Sequence, residues 1–407
     1  MNRCKIRQNI YNQELSLLAH IVLLSTADWD HPLWTNKQHV ACSLADEGHY
    51  ILYVESLGLR SVNATSKDWI RIFKRLIKGL SPPRNVYKNI WVWSPLVIPG
   101  SSKGIFLIIN KFMLFFGIYI ARKILRLRCE WLWTYNPLTT KLLNIKNFSQ
   151  IIYHAVDAIQ EQPNMPREII ESEEKKLCLK ANNVFVTSPA IYRRLKPYSH
   201  NIKYYSNCCD YNHFSKALNI KRNNIPEDLM ILKSPVIGFV GAISNYKLDF
   251  SLIYELAKNN KMWNFVFIGP VSEGEANTDT SLIDSLPNIH LFGYRPYSVL
   301  PSYCAGFDLA WLPLQKNPYT HSMFPMKFFE YLAAGLPVVA TSIDSLQEFS
   351  NEAILCEVDY KHFESAIKSS LTTSYCDLEL RLNLAKQYTY KKRTQSMLHD
   401  IQELINA

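Results

Sequence analysis

The sequence predicts an α/β protein with two doubly wound domains that face each other across a cleft. Three observations lead to this expectation. The chain has 407 residues, more than one ordinary hydrophobic core organises. Continuous β-rich apolar runs alternate with mixed segments, as buried parallel strands alternate with helices. Polar or small residues follow several of the runs, at the sheet edge where such folds bind ligands.

The N-terminal domain opens with a strand, a helix and a second strand. HIVLLSTADWD (20–30) predicts a buried strand followed by a functional loop. KQHVACSLADEGH predicts a helix closed by Gly48, and YILYVES predicts the next strand. Further elements are predicted as strands at 129–135, 151–157 and 183–188, and as a helix rich in Glu and Lys at 161–181.

A linker at NIPEDLMILKSP (224–235) precedes a second series of the same kind. Strands are predicted at 236–243, 263–270, 288–294 and 307–314, with the helices DFSLIYELAKNN and SVLPSYCAG between them. After AILCEV, two helices are predicted at 361–372 and 377–405. The expected units are residues 1–223, residues 224–380 and a C-terminal helix, 381–407, that packs back toward the N-terminal domain.

Composition and charge narrow the class of protein. The chain is 48% hydrophobic and 20% charged, which is typical of a folded globular protein. Residues 1–150 carry 20 Lys/Arg against 8 Asp/Glu, whereas residues 226–407 carry 14 against 20. A basic first half could face nucleic acid or an anionic membrane. No recognisable nucleic-acid-binding motif accompanies the charge, so nucleic acid is not an expected partner.

Targeting and membrane signals are limited. The nine cysteines include no C-x-x-C pair and predict reduced thiols in a cytosol. Residues 1–14 are polar and predict no signal peptide.

The apolar run 105–121 is interrupted by Asn110 and Lys111, and about 20 clean residues are needed to span a bilayer. With the basic ARKILRLR after it, segment 105–128 predicts either a helix at an anionic membrane surface or a buried core helix.

The stretch FPMKFFEYLAAGLPVVA (324–340) carries two charges in an apolar run. Pro325 and Gly335 predict a helix from about Pro325 to Ala334. Lys327 would then stand in the first turn, where a cation opposes the helix dipole unless an anion such as phosphate binds there. Glu330, one turn later, could accept both hydroxyls of a ribose. A solvated Lys–Glu pair is the alternative interpretation.

This stretch resembles the nucleotide-sugar signature of GT-B glycosyltransferases, family 4 in particular. GFVGAISNYKLDF, NFVFIGP, NIHLFGYRPYSVLP and GFDLAWLP extend the resemblance, which covers about residues 20–350. STADWDHPLWTNKQH and YHAVDAIQEQP are similar to a bacterial subgroup that acts on cell-surface polysaccharides such as teichuronic acid. The resemblance implies two Rossmann-like domains. It implies transfer from a nucleotide sugar, with UDP the expected nucleotide, to a glycan or lipid-linked acceptor. The nucleotide sugar is a substrate, and no cofactor is expected.

The resemblance also implies roles for residues of the donor side. Glu330 would hold the donor ribose, and Lys327 and Lys247 would contact the diphosphate. Gly241 and Ala242 would form the close backbone turn after the first strand of the donor domain.

Tyr294 and Arg295 would line the base pocket. Ser322 stands where family members often carry a second Glu near the donor sugar, and His321 lies beside it. The family's N-G-V-D turn reads N-C-C-D here, at Asn207–Asp210. The Ser322 departure leaves the sugar and the stereochemical outcome open.

Two acceptor sites are expected in the N-terminal domain. Asp157 ends a predicted strand and could take the proton of an attacking hydroxyl, with His154 three residues before it as a second catalytic candidate. If the reaction retains configuration, Asp157 would instead bind sugar hydroxyls; a helix N-cap is the structural alternative. The second site combines carboxylates with aromatic faces that could stack on sugars, or it is a loop packed on its own core. Its members are Asp28, Trp29, Asp30 and Trp34.

No metal site is predicted, since His39, His49 and His213 lack partners at metal-ligand spacing. The resemblance implies that lysines and a helix terminus neutralise the leaving diphosphate instead. Another GT-B reaction, such as that of a sugar-nucleotide epimerase, is an alternative function. The expected location is the cytoplasm, peripheral on the inner face of the plasma membrane.

Overall fold

The structure is a computed structural model. It describes residues 18–31, 34–57, 79, 81–96, 105–128, 130–272, 275, 278–372 and 376–406. Residues 1–14, for which no signal peptide is predicted, lie outside the described residues.

The N-terminal half forms an eight-stranded sheet in the order β3-β4-β2-β1-β5-β6-β7-β8. Neighbouring strands are parallel except for the β3–β4 pair. The strands are β1 (His20–Leu24), β2 (Tyr50–Val54), β3 (Arg84–Tyr87), β4 (Ile90–Trp93), β5 (Trp131–Thr134), β6 (Gln150–Ala155), β7 (Asn183–Val186) and β8 (Ile202–Tyr204).

The C-terminal half forms a six-stranded parallel sheet in the order β11-β10-β9-β12-β13-β14. Its strands are β9 (Val236–Val240), β10 (Asn264–Ile268), β11 (Ile289–Gly293), β12 (Leu309–Leu312), β13 (Val338–Thr341) and β14 (Ile354–Cys356). The predicted pair of doubly wound sheets is therefore confirmed.

Helices cover the sheets. Those of the first half are α1 (Asn36–Asp46), α2 (Ile105–Leu125), α3 (Thr139–Leu142), α4 (Arg167–Lys180), α5 (Pro189–Leu195) and α6 (Tyr211–Phe214). Those of the second half are α7 (Glu227–Met230), α8 (Phe250–Asn259), α9 (Ser281–Asp284), α10 (Leu300–Cys304), α11 (Pro318–Ser322), α12 (Lys327–Ala333), α13 (Tyr360–Thr372), α14 (Leu378–Gln387) and α15 (Tyr390–Asn406).

The apolar runs of the sequence reflect burial on both sheet faces. In β1, Val22 and Leu24 belong to one hydrophobic cluster, while Ile21 and Leu23 belong to the cluster on the opposite face. A strand buried on both faces has no need of polar alternation.

Several helices differ from their predicted bounds; the predicted helix 161–181, for example, is α4, which begins at Arg167 and ends at Lys180. The signature helix begins at Lys327 and ends at Ala333, two residues inside the predicted start, and Gly335 caps it with φ +82°. The predicted helix 377–405 is two helices, α14 and α15. They are separated at Tyr388, whose φ of −102° and ψ of 69° lie outside the helical region. The predicted linker contains the short helix α7.

The end of the chain returns to the N-terminal half. Helix α15 packs against α1, and Gln395 Nε2 donates to Glu47 Oε1 at 2.8 Å. Asp400 accepts from Lys203 Nζ and from Tyr205 OH, each at 2.6 Å. The domain boundaries given above stay predictions.

Most of segment 105–128, for which a membrane-surface helix and a buried core helix are the two predictions, forms helix α2. This helix presents two different faces. Leu114, Ile118 and Ala121 are buried against the sheet, and a Cβ at Gly117 would lie 2.2 Å from the ring of Trp93. The other face exposes large apolar side chains, namely Ile108, Ile109, Phe112, Phe115, Phe116, Tyr119, Ile120 and Ile124. We call this set the α2 stripe. Among the described residues, no helix has the length and apolar character needed to cross a membrane.

Candidate active site in the interdomain cleft

The predicted Lys–Glu pair lies at the carboxyl end of β9. Tyr331 on α12 accepts a hydrogen bond from the backbone N–H of Val240 at 2.7 Å, which fixes the helix beside that strand. Lys327 Nζ lies 2.6 Å from Glu330 Oε2 and 5.8 Å from the centre of the Phe214 ring. The Glu330 side chain is 4% exposed and that of Lys327 is 20% exposed. Glu330 is therefore buried and Lys327 is half-buried, so the two do not form a fully solvated pair.

Two glycine loops meet at the carboxyl ends of β9 and β10. The N–H of Gly241 donates to the carbonyl of Ile268 at 2.8 Å, which joins the loops after β9 and β10. Gly269 has φ +147°, and a Cβ there would lie 1.9 Å from the carbonyl oxygen of Gly241. Only glycine permits this approach. Ala242 follows in the same loop and is half-buried.

Lys247 lies further along the β9 loop. Its ammonium is 5.3 Å from the centre of the Tyr246 ring, and its carbonyl accepts from the N–H of Gln315 at 2.9 Å. Asn317 Nδ2 also donates to the Tyr246 carbonyl at 2.8 Å. The loop that carries Lys247 is thus tied to the segment after β12.

The two residues expected in the base pocket differ in their surroundings. Tyr294 is 42% exposed. Arg295 donates to the hydroxyl of Tyr303 at 2.6 Å, to the carbonyl of Phe292 at 2.6 Å and to Asp228 Oδ2 at 2.7 Å. The guanidinium is therefore held within the protein, which favours an anchoring role over direct contact with a base.

Ser322 connects the two halves of the chain. Its backbone carbonyl, at the end of α11, accepts from Ser188 Oγ at 2.7 Å. Two residues later, the carbonyl of Phe324 accepts from Asn207 Nδ2 at 2.6 Å. The N-terminal half therefore holds the segment that leads into α12. Asn207 is the first residue of the N-C-C-D turn, where the sequence departs from the family's N-G-V-D.

Asp157 follows β6, at the carboxyl edge of the N-terminal sheet. Its Oδ2 lies 3.5 Å from Nζ of Lys37, and its side chain is 34% exposed. Lys37 is 9% exposed and lies 5.9 Å from the centre of the Tyr135 ring. The residue that precedes the next 3-10 turn is Ala158, so Asp157 is not the cap of that turn. The N-cap interpretation of Asp157 is wrong.

His154 does not share this exposure. It is wholly buried in β6 among Trp133, Tyr135 and Phe185. Burial holds the pKa of the imidazole well below its usual value, and neither ring nitrogen has a hydrogen-bond partner in the described part of the chain. A ring without access to solvent reaches no acceptor hydroxyl, so the expectation that His154 is catalytic is contradicted.

The second acceptor candidate is mainly a packed loop. Trp29 is 6% exposed, and its ring meets those of Trp34 and Tyr53 edge-on at 5.3 and 5.1 Å. The backbone N–H of Trp29 donates to Glu55 Oε1 at 2.9 Å. A buried ring offers no free face for a sugar. This corrects the expectation for Trp29 in favour of the core-packing alternative.

The remaining members of that loop are dispersed. Asp30 pairs with Arg84 at the surface, and the carbonyl of Asp28 accepts from Gln38 Nε2 at 3.0 Å. Trp34 is half-buried against the ring of His39. The loop does not gather its carboxylates and aromatic faces into one sugar-binding surface.

Several cleft residues were not predicted from the sequence. His39 stacks on Tyr390 at 4.2 Å, and burial, followed by Lys327, Arg393 and His213, lowers its pKa to about 3. Arg393 Nη2 donates to Asn36 Oδ1 at 2.6 Å. Residues from α1, α6, α12 and α15 therefore converge on one electropositive region.

Among these unpredicted residues and their neighbours, Lys37 is the one that the local sequence could have indicated. Lys37 stands in the first turn of α1, which has no acidic residue there. This is the same unfavourable placement that singled out Lys327. Nothing in the local sequence around Arg393 indicates that it reaches Asn36, more than 350 positions away.

Comparisons with known proteins agree with this fold. The fold and its cleft define a GT-B protein. The chain superposes on sucrose-phosphate synthase from Thermosynechococcus elongatus with a TM-score of 0.69 at 14% identity, covering 95% of this chain and 99% of that one. It superposes on Anabaena HepE in complex with UDP and glucose with a TM-score of 0.64 at 14% identity, covering 94% of this chain and 99% of that one.

Within this fold, residues 234–373 match the family model described as Glycosyl transferases group 1, so the C-terminal half carries a domain of that family. "Putative teichuronic acid biosynthesis glycosyltransferase TuaH" of Bacillus subtilis (strain 168) is 28% identical over 247 residues. The match covers 57% of this chain and 60% of TuaH, less than two thirds of that relative. The resemblance stated from the sequence is confirmed.

Proposed function

We propose that this protein is a glycosyltransferase. It moves a sugar from a nucleotide sugar, with UDP as the nucleotide, to a hydroxyl of a glycan or lipid-linked acceptor in surface polysaccharide synthesis. The Lys327–Glu330 pair, whose carboxylate is buried, carries the proposal together with the glycine loops after β9 and β10. It is supported by the group 1 domain, by HepE in complex with UDP and glucose, and by the name of TuaH.

The donor site uses Glu330 and the two lysines in different ways. Lys327 contacts one carboxylate oxygen of Glu330, and a carboxylate accepts about four hydrogen bonds, so the group retains capacity for a ribose diol. Lys327 and Lys247 contact the diphosphate and offset the charge that develops on the leaving UDP. The backbone at Gly241 and Ala242 lets the diphosphate approach, and Tyr294 lies against the base.

On the acceptor side, Asp157 contacts the attacking hydroxyl and accepts its proton. Lys37 orients the carboxylate from 3.5 Å. No metal, cofactor or nucleic acid takes part in the proposed reaction.

Nucleotide binding tests the donor assignment. A thermal-shift panel of UDP, GDP and dTDP should show the largest stabilisation with UDP, since a ligand that binds only the folded state raises its stability by mass action. Equal shifts for all three nucleotides would remove UDP from the proposal. UDP release that requires an added acceptor then separates sugar transfer from an epimerase, which needs no acceptor.

The proposed place of action is the cytoplasmic membrane surface, reached through segment 105–128. The α2 stripe is a large exposed apolar area, and Lys123, Arg126 and Arg128 at its end are exposed cations suited to anionic headgroups. Flotation with phosphatidylglycerol liposomes should carry the protein upward at low salt. The double variant Phe116→Ser/Ile120→Ser should float less. Wild-type protein that remains at the bottom of the gradient contradicts the membrane part alone.

A further inference from the structure

A groove of about 750 Å³ lies between α2 and the segment after α3. Ile108, Phe112 and Phe115 form one wall, at the i, i+4, i+7 spacing that places residues on one helix face. Leu142, Leu143 and Ile145 form the opposite wall. The volume lies within the roughly 300–1,000 Å³ range of small-molecule sites.

The groove exposes apolar side chains that water solvates poorly. Ile108 is 67% exposed and Phe112 is 66% exposed. Because covering apolar surface is favourable, such walls suit a hydrocarbon occupant. The groove is also continuous with the α2 stripe, since Ile108, Phe112 and Phe115 belong to both. A chain in the groove can therefore extend directly from a membrane that contacts the stripe.

The charges around the groove have one sign. Lys111, Lys146 and Lys180 line it, no carboxylate does, and all three lysines are exposed. Within the described ranges, none of them forms an ion pair with Asp or Glu. Lys180 ends α4 and Lys146 lies shortly before β6, so both are near the amino edge of the sheet. The groove thus joins apolar walls to a cationic end, which is complementary to an anionic amphiphile.

We propose that the groove binds one anionic phospholipid of the membrane. An acyl chain lies against Ile108, Phe112 and Phe115, and the phosphate lies beside Lys146 and Lys180. The site rests on the proposed function in one respect, the membrane contact of the α2 stripe. It differs from that contact in requiring a single lipid in a defined position, on the acceptor domain and outside the cleft.

The test uses the full chain and dioctanoyl-phosphatidylglycerol below its micellar concentration. This lipid should raise the melting temperature more than dioctanoyl-phosphatidylcholine, which has the same chains without net charge. Phe115→Ser should weaken binding about tenfold or more, because Phe115 lines the groove. Tyr119→Ser is the matched control: Tyr119 is 47% exposed against 51% for Phe115 and does not line the groove. The double variant Lys146→Ser/Lys180→Ser should remove the preference for phosphatidylglycerol.

Three outcomes overturn the proposal. An equal loss in Phe115→Ser and Tyr119→Ser means that the lipid merely coats the stripe. Equal shifts with the two phospholipids remove the headgroup site. Tighter Phe115-dependent binding of farnesyl phosphate assigns the groove to the lipid of an acceptor. UDP shifts measured on the same variants report the fold and the donor site, so Phe115-dependent lipid binding without any UDP binding contradicts the proposed function and supports the groove.

Discussion

The Nζ atom of Lys327 lies 2.6 Å from Oε2 of Glu330, with only 4% of the Glu330 side chain exposed. Three residues apart on one helix, they would form an ordinary surface pair if the helix were solvated. Burial changes their significance, because charges removed from water are costly unless they are paired or bind a ligand. The pair is therefore the most informative place to test the donor site.

Replacement of Glu330 by Ala should reduce UDP affinity roughly 10- to 100-fold, because hydrogen bonds to a charged group contribute about 1.5–3 kcal/mol. Isothermal titration calorimetry measures the change. Glu357→Ala is the control, since it also removes a carboxylate paired with a lysine, Lys316, but at the exposed surface. Undiminished UDP binding by Glu330→Ala removes Glu330 from the ribose.

Asp157→Asn keeps the size of the side chain and removes its basicity. We expect kcat to fall about 100-fold or more, the usual contribution of a general base, with UDP affinity unchanged. Steady-state kinetics with the natural acceptor distinguishes this from a binding role, in which the KM for the acceptor rises while kcat is retained. That second result assigns Asp157 to hydroxyl binding and contradicts proton transfer.

His154→Phe should reduce the loss of stability in acid. In the folded protein, burial keeps the pKa of His154 well below 6.5, so the unfolded chain binds the additional proton as the pH falls below 6.5. Stability therefore decreases toward acid, by at most about 1.4 kcal/mol per pH unit for one such group. Denaturant unfolding at pH 7 and pH 5 measures the slope.

The stability of His154→Phe should still fall in acid to some extent, because burial also lowers the pKa of His39 to about 3 and that of His49 to about 4. His399→Phe, which removes a histidine from an exposed position, is the control. A large loss of kcat in His154→Phe with an unchanged fold would restore a catalytic role to this residue.

Activity should persist in EDTA, because the proposed site neutralises the diphosphate with Lys327 and Lys247. Among the described residues there is no group of three or more His, Cys, Asp or Glu side chains placed to hold an ion. UDP release is followed before and after chelation, with added Mg²⁺ as the comparison. Activity that disappears in EDTA and returns with Mg²⁺ contradicts a metal-independent reaction.

Local sequence predicted most of the elements and the helix that carries Lys327 and Glu330, but not the strands β3, β4 and β8. Apolar runs that alternate with helical segments identified the two sheets, because parallel strands buried on two faces need no polar residues. Pro325 and Gly335 bounded α12 to within about two residues, since proline and glycine act on the backbone of their own turn. The spacing of Lys327 and Glu330 placed them on one helix face, a property of helical geometry alone.

The packing of distant segments decided the rest. The strand pattern around His154 does not distinguish a core face from a cleft, and only the rings of Trp133 and Phe185 show that the histidine is buried. Lys37 reaches Asp157 across 120 positions, and Arg393 reaches Asn36 from the last helix. Such contacts depend on how sheets and helices stack, and side-chain burial and long-range pairing exist only once that stacking has formed.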